Sequence, residues 1–225
     1  MSRVGSETTS TDGGRPDPYA ARRARMVERQ LRRRGIEDER VLEAMAEVPR
    51  ERFVPRGLRR QAYRDGALRI GRGQTISQPW IVACMAELLD LRGDEQVLEV
   101  GTGSGYSAAV LSRLCRSVVT IERHDSLAEA AQRMLAELGY GNVEVRAGDG
   151  TLGAPDRAPF DGISVTATAE GEPPPALRRQ LAPGGVLVCP VYSGGSELLM
   201  RFHDGEAEPV APVRFVPLVT QEQRT

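Results

Sequence analysis

Val97-Leu98-Glu99-Val100-Gly101-Thr102-Gly103-Ser104-Gly105, running on into Tyr106-Ser107-Ala108-Ala109-Val110-Leu111, decides the fold. A short apolar run reads as a buried strand, and three alternating glycines let the chain turn sharply. The small residues that follow open a helix whose first N–H groups face that turn. Strand, turn and helix N-terminus together make a cradle for a nucleotide-type cofactor. The spacing is G-x-G-x-G. The third glycine of the dinucleotide fingerprint would fall at Tyr106, and its absence argues against a nicotinamide dinucleotide.

Working outward from the turn, the pattern alternates. Strands are expected at Gln96 to Val100, Val118 to Glu122, Val143 to Ala147, Gly162 to Thr166 and Val186 to Pro190. Helices are expected at Pro79 to Leu91, Tyr106 to Cys115, Ser126 to Leu138 and Pro174 to Leu181. Such alternation with short connections specifies an α/β fold with a doubly wound, mostly parallel sheet. Glu197 to His203 and Val210 to Val219 read as an antiparallel finish. Upstream, apolar residues at helical spacing predict a helix over Tyr19 to Arg34 capped by Gly35, and a second from Asp38 to Val48 ended by Pro49. A third short one covers Arg56 to Tyr63. Arg69 to Pro79, dense in Gly, Thr and Ser, reads as a loop. Residues 1–18 and 220–225 carry little to bury and are expected to be tails, the first disordered. The division is then 19–78 for N-terminal helices and a substrate loop, and 79–219 for the cofactor domain.

Composition excludes several chemistries. All 30 basic residues among the 225 are Arg, and there is no Lys. A Walker-type phosphate loop, a protein kinase and a pyridoxal Schiff base all need that amine. The three Cys (Cys84, Cys115, Cys189) and two His (His124, His203) show no metal-ligand spacing, so no metal is expected. The cysteines read as buried apolar side chains in a cytoplasmic protein, the histidines as exposed structural residues. No apolar stretch is long enough for a membrane span.

Two further strand ends complete the candidate site. Glu122 closes the strand after the glycine turn, where a carboxylate can accept both hydroxyls of a ribose. Gly148-Asp149-Gly150 follows the next strand and sets an acid at the base edge. A glycine turn, a ribose acid and a base-edge acid on one rim suit the adenosine of S-adenosyl-L-methionine better than a pyrophosphate.

Gly73-Gln74-Thr75-Ile76-Ser77-Gln78-Pro79, VLEVGTGSGY, TIER at 120–123, GDG at 148–150, APFD at 158–161 and VTA at 165–167 resemble the protein-L-isoaspartate O-methyltransferase family. MVERQL, VPRERFVP through residue 55 and VRFVPLV at 213–219 extend the likeness from Met26 to Val219. The resemblance implies a Rossmann-like methyltransferase with an N-terminal helical appendage. It would methylate the free α-carboxylate of L-isoaspartyl residues in damaged proteins and peptides, using S-adenosyl-L-methionine, and the ester would collapse to a succinimide and begin repair. The acceptor is already ionised at neutral pH, so no general base is needed.

The same resemblance implies site roles. Ser77 would be the active-site serine, holding the acceptor through its hydroxyl and N–H. Cofactor contacts would come from Thr75, Ile76, Ser77, Glu99, Gly101, Thr102, Gly103, Ser104, Gly105, Glu122, Arg123, Asp149 and Gly150. Gln78, Phe215, Val216 and Leu218 would line the peptide cleft, and Tyr106 would pack beneath the cofactor turn. The chain departs from the family pattern at Thr168-Ala169-Glu170-Gly171-Glu172 and at Tyr192, where a carboxylate or phenol is expected to narrow or recharge the cleft mouth.

Two other readings stand beside this one. The first is a peptide aspartate O-methyltransferase that modifies a dedicated peptide to form an aspartimide. The second follows from charge: residues 1–72 hold 18 Arg against 11 acids, residues 73–225 hold 12 against 20. Arg22, Arg23, Arg25, Arg29, Arg32, Arg33 and Arg34 could contact nucleic acid phosphates, although no aromatics are interleaved and a solvated helix face is favoured. The expectation is therefore a monomer acting on isoaspartyl proteins, with no nucleic acid or membrane partner.

Overall fold

The computed structural model describes residues 17–219. Of the expected tails, residues 1–16 and 220–225 lie outside the described residues. Asp17, assigned to the first tail, is anchored: its carboxylate accepts the Tyr19 N–H at 2.8 Å and an Arg23 N–H at 2.6 Å.

The N-terminal helices form as the periodicity requires, with one difference in winding. Helix α1 spans Ala20–Met26, continues as a π turn over Val27–Leu31 and tightens to 3₁₀ over Arg32–Arg34. Gly35 then ends it at φ +89°. Helix α2 spans Glu39–Glu47, and the Asp38 carboxylate caps it by accepting from Arg40 N at 2.8 Å, a cap worth about 1 kcal/mol. Short 3₁₀ turns cover Arg50–Phe53 and Arg56–Gln61.

The expected loop at Arg69 to Pro79 is instead mostly a hairpin. Strand β1 (Leu68–Gly71) pairs antiparallel with β2 (Gln74–Ile76), and only Ser77 and Gln78 separate it from α3 (Pro79–Leu88). Beyond it come β3 (Gln96–Val100), α4 (Tyr106–Leu111), β4 (Ser117–Glu122), α5 (Asp125–Glu137) and β5 (Val143–Ala147). Then follow β6 (Phe160–Val165), β7 (Ala169–Glu170), α6 (Pro175–Arg178), β8 (Leu181–Ser193), β9 (Ser196–His203) and β10 (Glu206–Pro212).

The large sheet has the order β10-β9-β8-β6-β3-β4-β5, with β7 added beside β8. Strands β8, β6, β3, β4 and β5 run parallel, while β8-β9-β10 is antiparallel. The order reverses at β3, whose neighbours are β4 on one side and β6 on the other. Crevices for ligands open at the carboxyl ends of strands at such a switch point, and the glycine turn begins there.

Alternation along β3 divides its side chains between two cores. Val97 joins the cluster built with Leu31, Met45, Ala83 and Val110. Leu98 and Val100 join the opposite one with Phe160, Ile163 and Leu187. The N-terminal helices thus share a core with the cofactor half. Glu99 falls on the α4 side with Val97.

The last expected strand, Val210 to Val219, is corrected. Pairing on β9 stops at Pro212, and residues 213–219 run irregularly, tied back by Val213 N–H to Glu197 O at 3.0 Å and by a bridge between Thr168 and Pro217. Prolines at 212 and 217 offer no N–H to a ladder. The expected basic stripe is largely neutralised locally: Arg23 pairs with Asp17 (2.6 Å), Arg33 with Glu28 (3.1 Å), Arg34 with Asp65 (3.2 Å) and Arg32 with Glu39. No helix among the described residues is long and apolar enough to cross a membrane.

Candidate active site

One cleft of about 680 Å³ opens over the carboxyl end of β3. It draws its walls mainly from the β2–α3 segment, the glycine turn, the end of β4 and residues 212–219, with Gly150 and Thr166–Ala167 added from the ends of β5 and β6. Of the expected site residues, Thr75, Ile76, Ser77, Gln78, Gly101, Thr102, Gly103, Ser104, Glu122, Arg123, Gly150, Phe215, Val216 and Leu218 all line it. Its volume is in the range of small-molecule sites.

The turn is held in place before any ligand arrives. Gly101 has φ +98°, and a Cβ there would sit 2.3 Å from Thr166 Oγ1. That hydroxyl donates to Gly101 O at 2.7 Å, tying the turn to the end of β6. Glu122, almost wholly buried, accepts from Gly103 N–H at 2.9 Å and from His124 N–H at 3.0 Å. The ribose candidate is therefore fixed from both sides, and a carboxylate has lone pairs left for two hydroxyls. A close-approach turn beside a pinned acid fits an adenosine-bearing cofactor.

Three of the expected cofactor residues do not reach the cleft. Gly105 packs on α5, where a Cβ would stand 3.3 Å from Ala131 and Leu135. Asp149 turns Oδ1 to the N–H (2.9 Å) and hydroxyl (2.6 Å) of Thr151, so Gly150 represents that turn in the lining. Glu99 is wholly buried beneath the turn. The Thr120 hydroxyl donates to its Oε2 at 2.6 Å, and Thr102 Oγ1 is hydrogen-bonded to Thr120 at 2.7 Å. Burial pushes its carboxyl up to about 7; hydrogen bonds from Thr120 and Ser107 oppose the shift and Glu122 adds to it.

The acceptor side is more tightly built than the sequence suggests. The Gln78 side chain reaches back to the Asp65 carboxylate, leaving its main chain to face the cleft. Residues 213–219 are strapped down by Thr168 and Glu197. Thr168 N–H donates to Val216 O and Leu218 N–H to Thr168 O, both at 2.8 Å, and Phe215 N–H reaches Glu197 Oε1 at 2.6 Å. Glu170 and Tyr192, expected at the cleft mouth, face each other across the β7–β8 pair and are not in the lining. Of the two departures from the family pattern, only Thr168 acts on the cleft, through that strap. Tyr106 does lie beneath the turn, fully buried and edge-on to Phe53 at 5.6 Å.

Both histidines are half-buried rather than exposed: His203 lies 3.4 Å from Asp204, and His124 precedes α5. All three cysteines are free and buried, with burial pushing Cys84 up to about 11 and Cys115 and Cys189 up to about 12. Sequence reasoning missed Gln74, Thr166 and Arg214, which also line the cleft. It missed Arg50 as well, whose Nη2 donates to Ser77 O at 2.7 Å. Thr166 and Arg214 sit inside quoted motifs, VTA and VRFVPLV, so the signal was present at low resolution.

The chain's pattern matches the description "Protein-L-isoaspartate(D-aspartate) O-methyltransferase" over residues 21–223. The protein-L-isoaspartate O-methyltransferase of Pelotomaculum thermopropionicum is 54% identical over 211 residues, covering 92% of each chain. A solved protein-L-isoaspartate O-methyltransferase superposes with TM-score 0.77 at 30% identity, over 87% of this chain and 65% of that one. A Plasmodium falciparum structure in complex with S-adenosyl-L-homocysteine superposes with TM-score 0.76 at 24% identity, covering 88% of this chain and 98% of its own, and shares the fold. With the Rossmann-like sheet, the glycine turn and the Ser77 segment gathered around one cleft, this chain belongs to the protein-L-isoaspartate(D-aspartate) O-methyltransferase family.

Proposed function

We propose that this enzyme methylates the free α-carboxylate of L-isoaspartyl residues in damaged proteins and peptides, with S-adenosyl-L-methionine as donor. The observation that carries it is the meeting, in one cleft, of the Ser77 segment and the glycine turn. Bound S-adenosyl-L-methionine would supply an electrophilic sulfonium methyl. Gly101 to Ser104 would approach its amino-acid portion, Glu122 would take the ribose hydroxyls, and the Gly148 to Gly150 turn would border the base.

The chain's own work is positioning. An isoaspartyl carboxylate is ionised at neutral pH and needs no base, in keeping with a lining that contains no His, Cys or Lys. Ser77 would hold one carboxylate oxygen through its hydroxyl and N–H, with Thr75 and Ile76 setting the backbone before it. Phe215, Val216 and Leu218 would lie along the acceptor chain and exclude water from the reacting atoms. Residues 19–78, with the 213–219 wall, would then present the acceptor, and the rest of 79–219 the donor. The enzyme would work as a monomer on protein substrates in the reducing cytoplasm, where three free thiols persist.

The deciding experiment transfers methyl from labelled S-adenosyl-L-methionine to two peptides identical but for isoaspartate or aspartate at one position. Label on the isoaspartyl peptide alone is expected. Equal labelling, or labelling of neither, overturns the proposal; preference for an aspartyl side chain in one partner peptide would indicate aspartimide formation instead.

A further inference from the structure

Arg50 is fully buried, yet among the described residues no carboxylate pairs with it. Its Nε donates to Ala62 O and its Nη2 to Ser77 O, each at 2.7 Å, and its guanidinium lies 4.8 Å over the Tyr106 ring. Among the described residues Nη1 has no geometric hydrogen-bond partner, and the polar side chain that the guanidinium meets is that of Tyr106. The neighbouring acid is committed elsewhere: Glu51 receives the Tyr63 hydroxyl and lies 3.7 Å from Arg23.

An arginine cannot shed its charge as a buried lysine can. Removing an unpaired ion from water costs several kcal/mol, and two carbonyls and a π face offset only part of that. The site therefore carries a standing positive charge without a counter-ion, directly behind the segment assigned to the acceptor. Arg50 lies behind the cleft lining; the two arginines within that lining differ from it, since Arg214 is exposed, where solvent screens it, and Arg123 stands at the Glu122 end. Arg50 is the cation whose field is least diluted by water.

Its contacts also join both halves of the site. One edge grips the Ser77 carbonyl, and one face covers Tyr106, the first residue after the glycine turn. Because the peptide is planar and trans, holding Ser77 O toward Arg50 directs the Gln78 N–H the opposite way.

We propose that Arg50 is the positioning residue for the acceptor carboxylate: it locks the Ser77 peptide to the cofactor turn and supplies the counter-charge for the acceptor anion. This rests on the methyl-transfer function above. The substrate anion would be attracted by this charge across the Ser77 peptide, so charge recognition would come from beneath the loop rather than from its rim.

The test compares two competitive peptides, one isoaspartyl and one with the same α-carboxyl converted to a carboxamide, on wild type, Arg50→Gln and Arg50→Lys. Affinities are measured with S-adenosyl-L-homocysteine present. Wild type is expected to prefer the carboxylate by about tenfold, in line with a charged hydrogen-bonded contact. Arg50→Gln should lose most of that preference while holding the amide peptide within about twofold. Arg50→Lys should keep the preference but lower kcat, because a point charge cannot grip both carbonyls. If Arg50→Gln weakens both peptides equally, or leaves the preference intact, the assignment is overturned. Should Arg50→Gln fail to fold, Arg50→Lys decides, since loss of its carboxylate preference would refute the charge role. A wild type that ignores the isoaspartyl peptide sinks the methyl-transfer function itself, a separate failure.

Discussion

Replacing Glu99 by Gln should make the protein increasingly more stable than wild type as the pH rises, because only wild type loses stability there. Glu99 is wholly buried, and burial pushes its carboxyl up to about 7 from the ordinary 4.5 of an exposed glutamate. The folded state thus holds a proton that the unfolded chain has released between those limits. Stability is fully present below about 4.5 and is lost as the pH climbs through about 7. The difference between the buried and the exposed carboxyl corresponds to roughly 3 kcal/mol, most of it appearing between pH 5 and 8. Glutamine cannot ionise, so the stability gap between variant and wild type should widen by about 2–3 kcal/mol over that range. For a chain of this length, that is a melting-temperature difference growing by about 5–10 °C. Other carboxylates titrate in both proteins and cancel in the difference. Urea denaturation at pH 5, 6, 7 and 8 measures it. A gap flat to within about 0.5 kcal/mol would show that Glu99 stays ionised in the fold and refute the argument.

Gly101→Ala meets both a positive φ and the Thr166 hydroxyl at 2.3 Å. Calorimetry with S-adenosyl-L-homocysteine should register at least about a tenfold loss of affinity, in line with about 1–2 kcal/mol of backbone strain; unchanged binding would mean the turn adapts. Ser77→Ala should lower turnover of the isoaspartyl peptide by about 10–100-fold, as expected for a lost hydrogen bond to a charged group, with S-adenosyl-L-homocysteine affinity preserved. Full turnover would remove Ser77 from the site. Tyr192→Gly should change kcat/KM by less than about twofold, because surface substitutions away from a site have small effects. A larger change in peptide selectivity would put the β7–β8 edge in contact with substrate.

The parts of the site that depend on local sequence were legible in it, and those that depend on distant partners were not. Gln96 to Val100 and Val143 to Ala147 match the observed strands residue for residue, the first as a short, mostly apolar run buried in the sheet and the second, at the sheet edge, as valines alternating with charged residues. Strand β8 begins at Leu181, five residues earlier than expected, because Pro183-Gly184-Gly185 reads as a break while neighbouring β6 holds it in the sheet. The hairpin at 68–76 was hidden for a similar reason: Gly71 and Gly73 mark a turn, but pairing of its flanks is not written in either flank alone. Glu99 was placed against the cofactor from its position in the motif, whereas alternation along β3 turns it beneath the turn. Arg50 is one of 18 arginines in the first 72 residues. Nothing local separates a pin from a solvated charge.

The strap over the cleft has a consequence for synthesis. Residues 213–219 supply one wall, and they are held by Thr168 and Glu197, which belong to segments made earlier. A ribosome that has released the strands through β6 has exposed a sheet able to begin folding, with its cofactor turn at the rim, before that wall exists. The nascent chain would therefore acquire a donor pocket first and acceptor selection last. During translation the enzyme would be spared from engaging the extended, freshly made polypeptide around it.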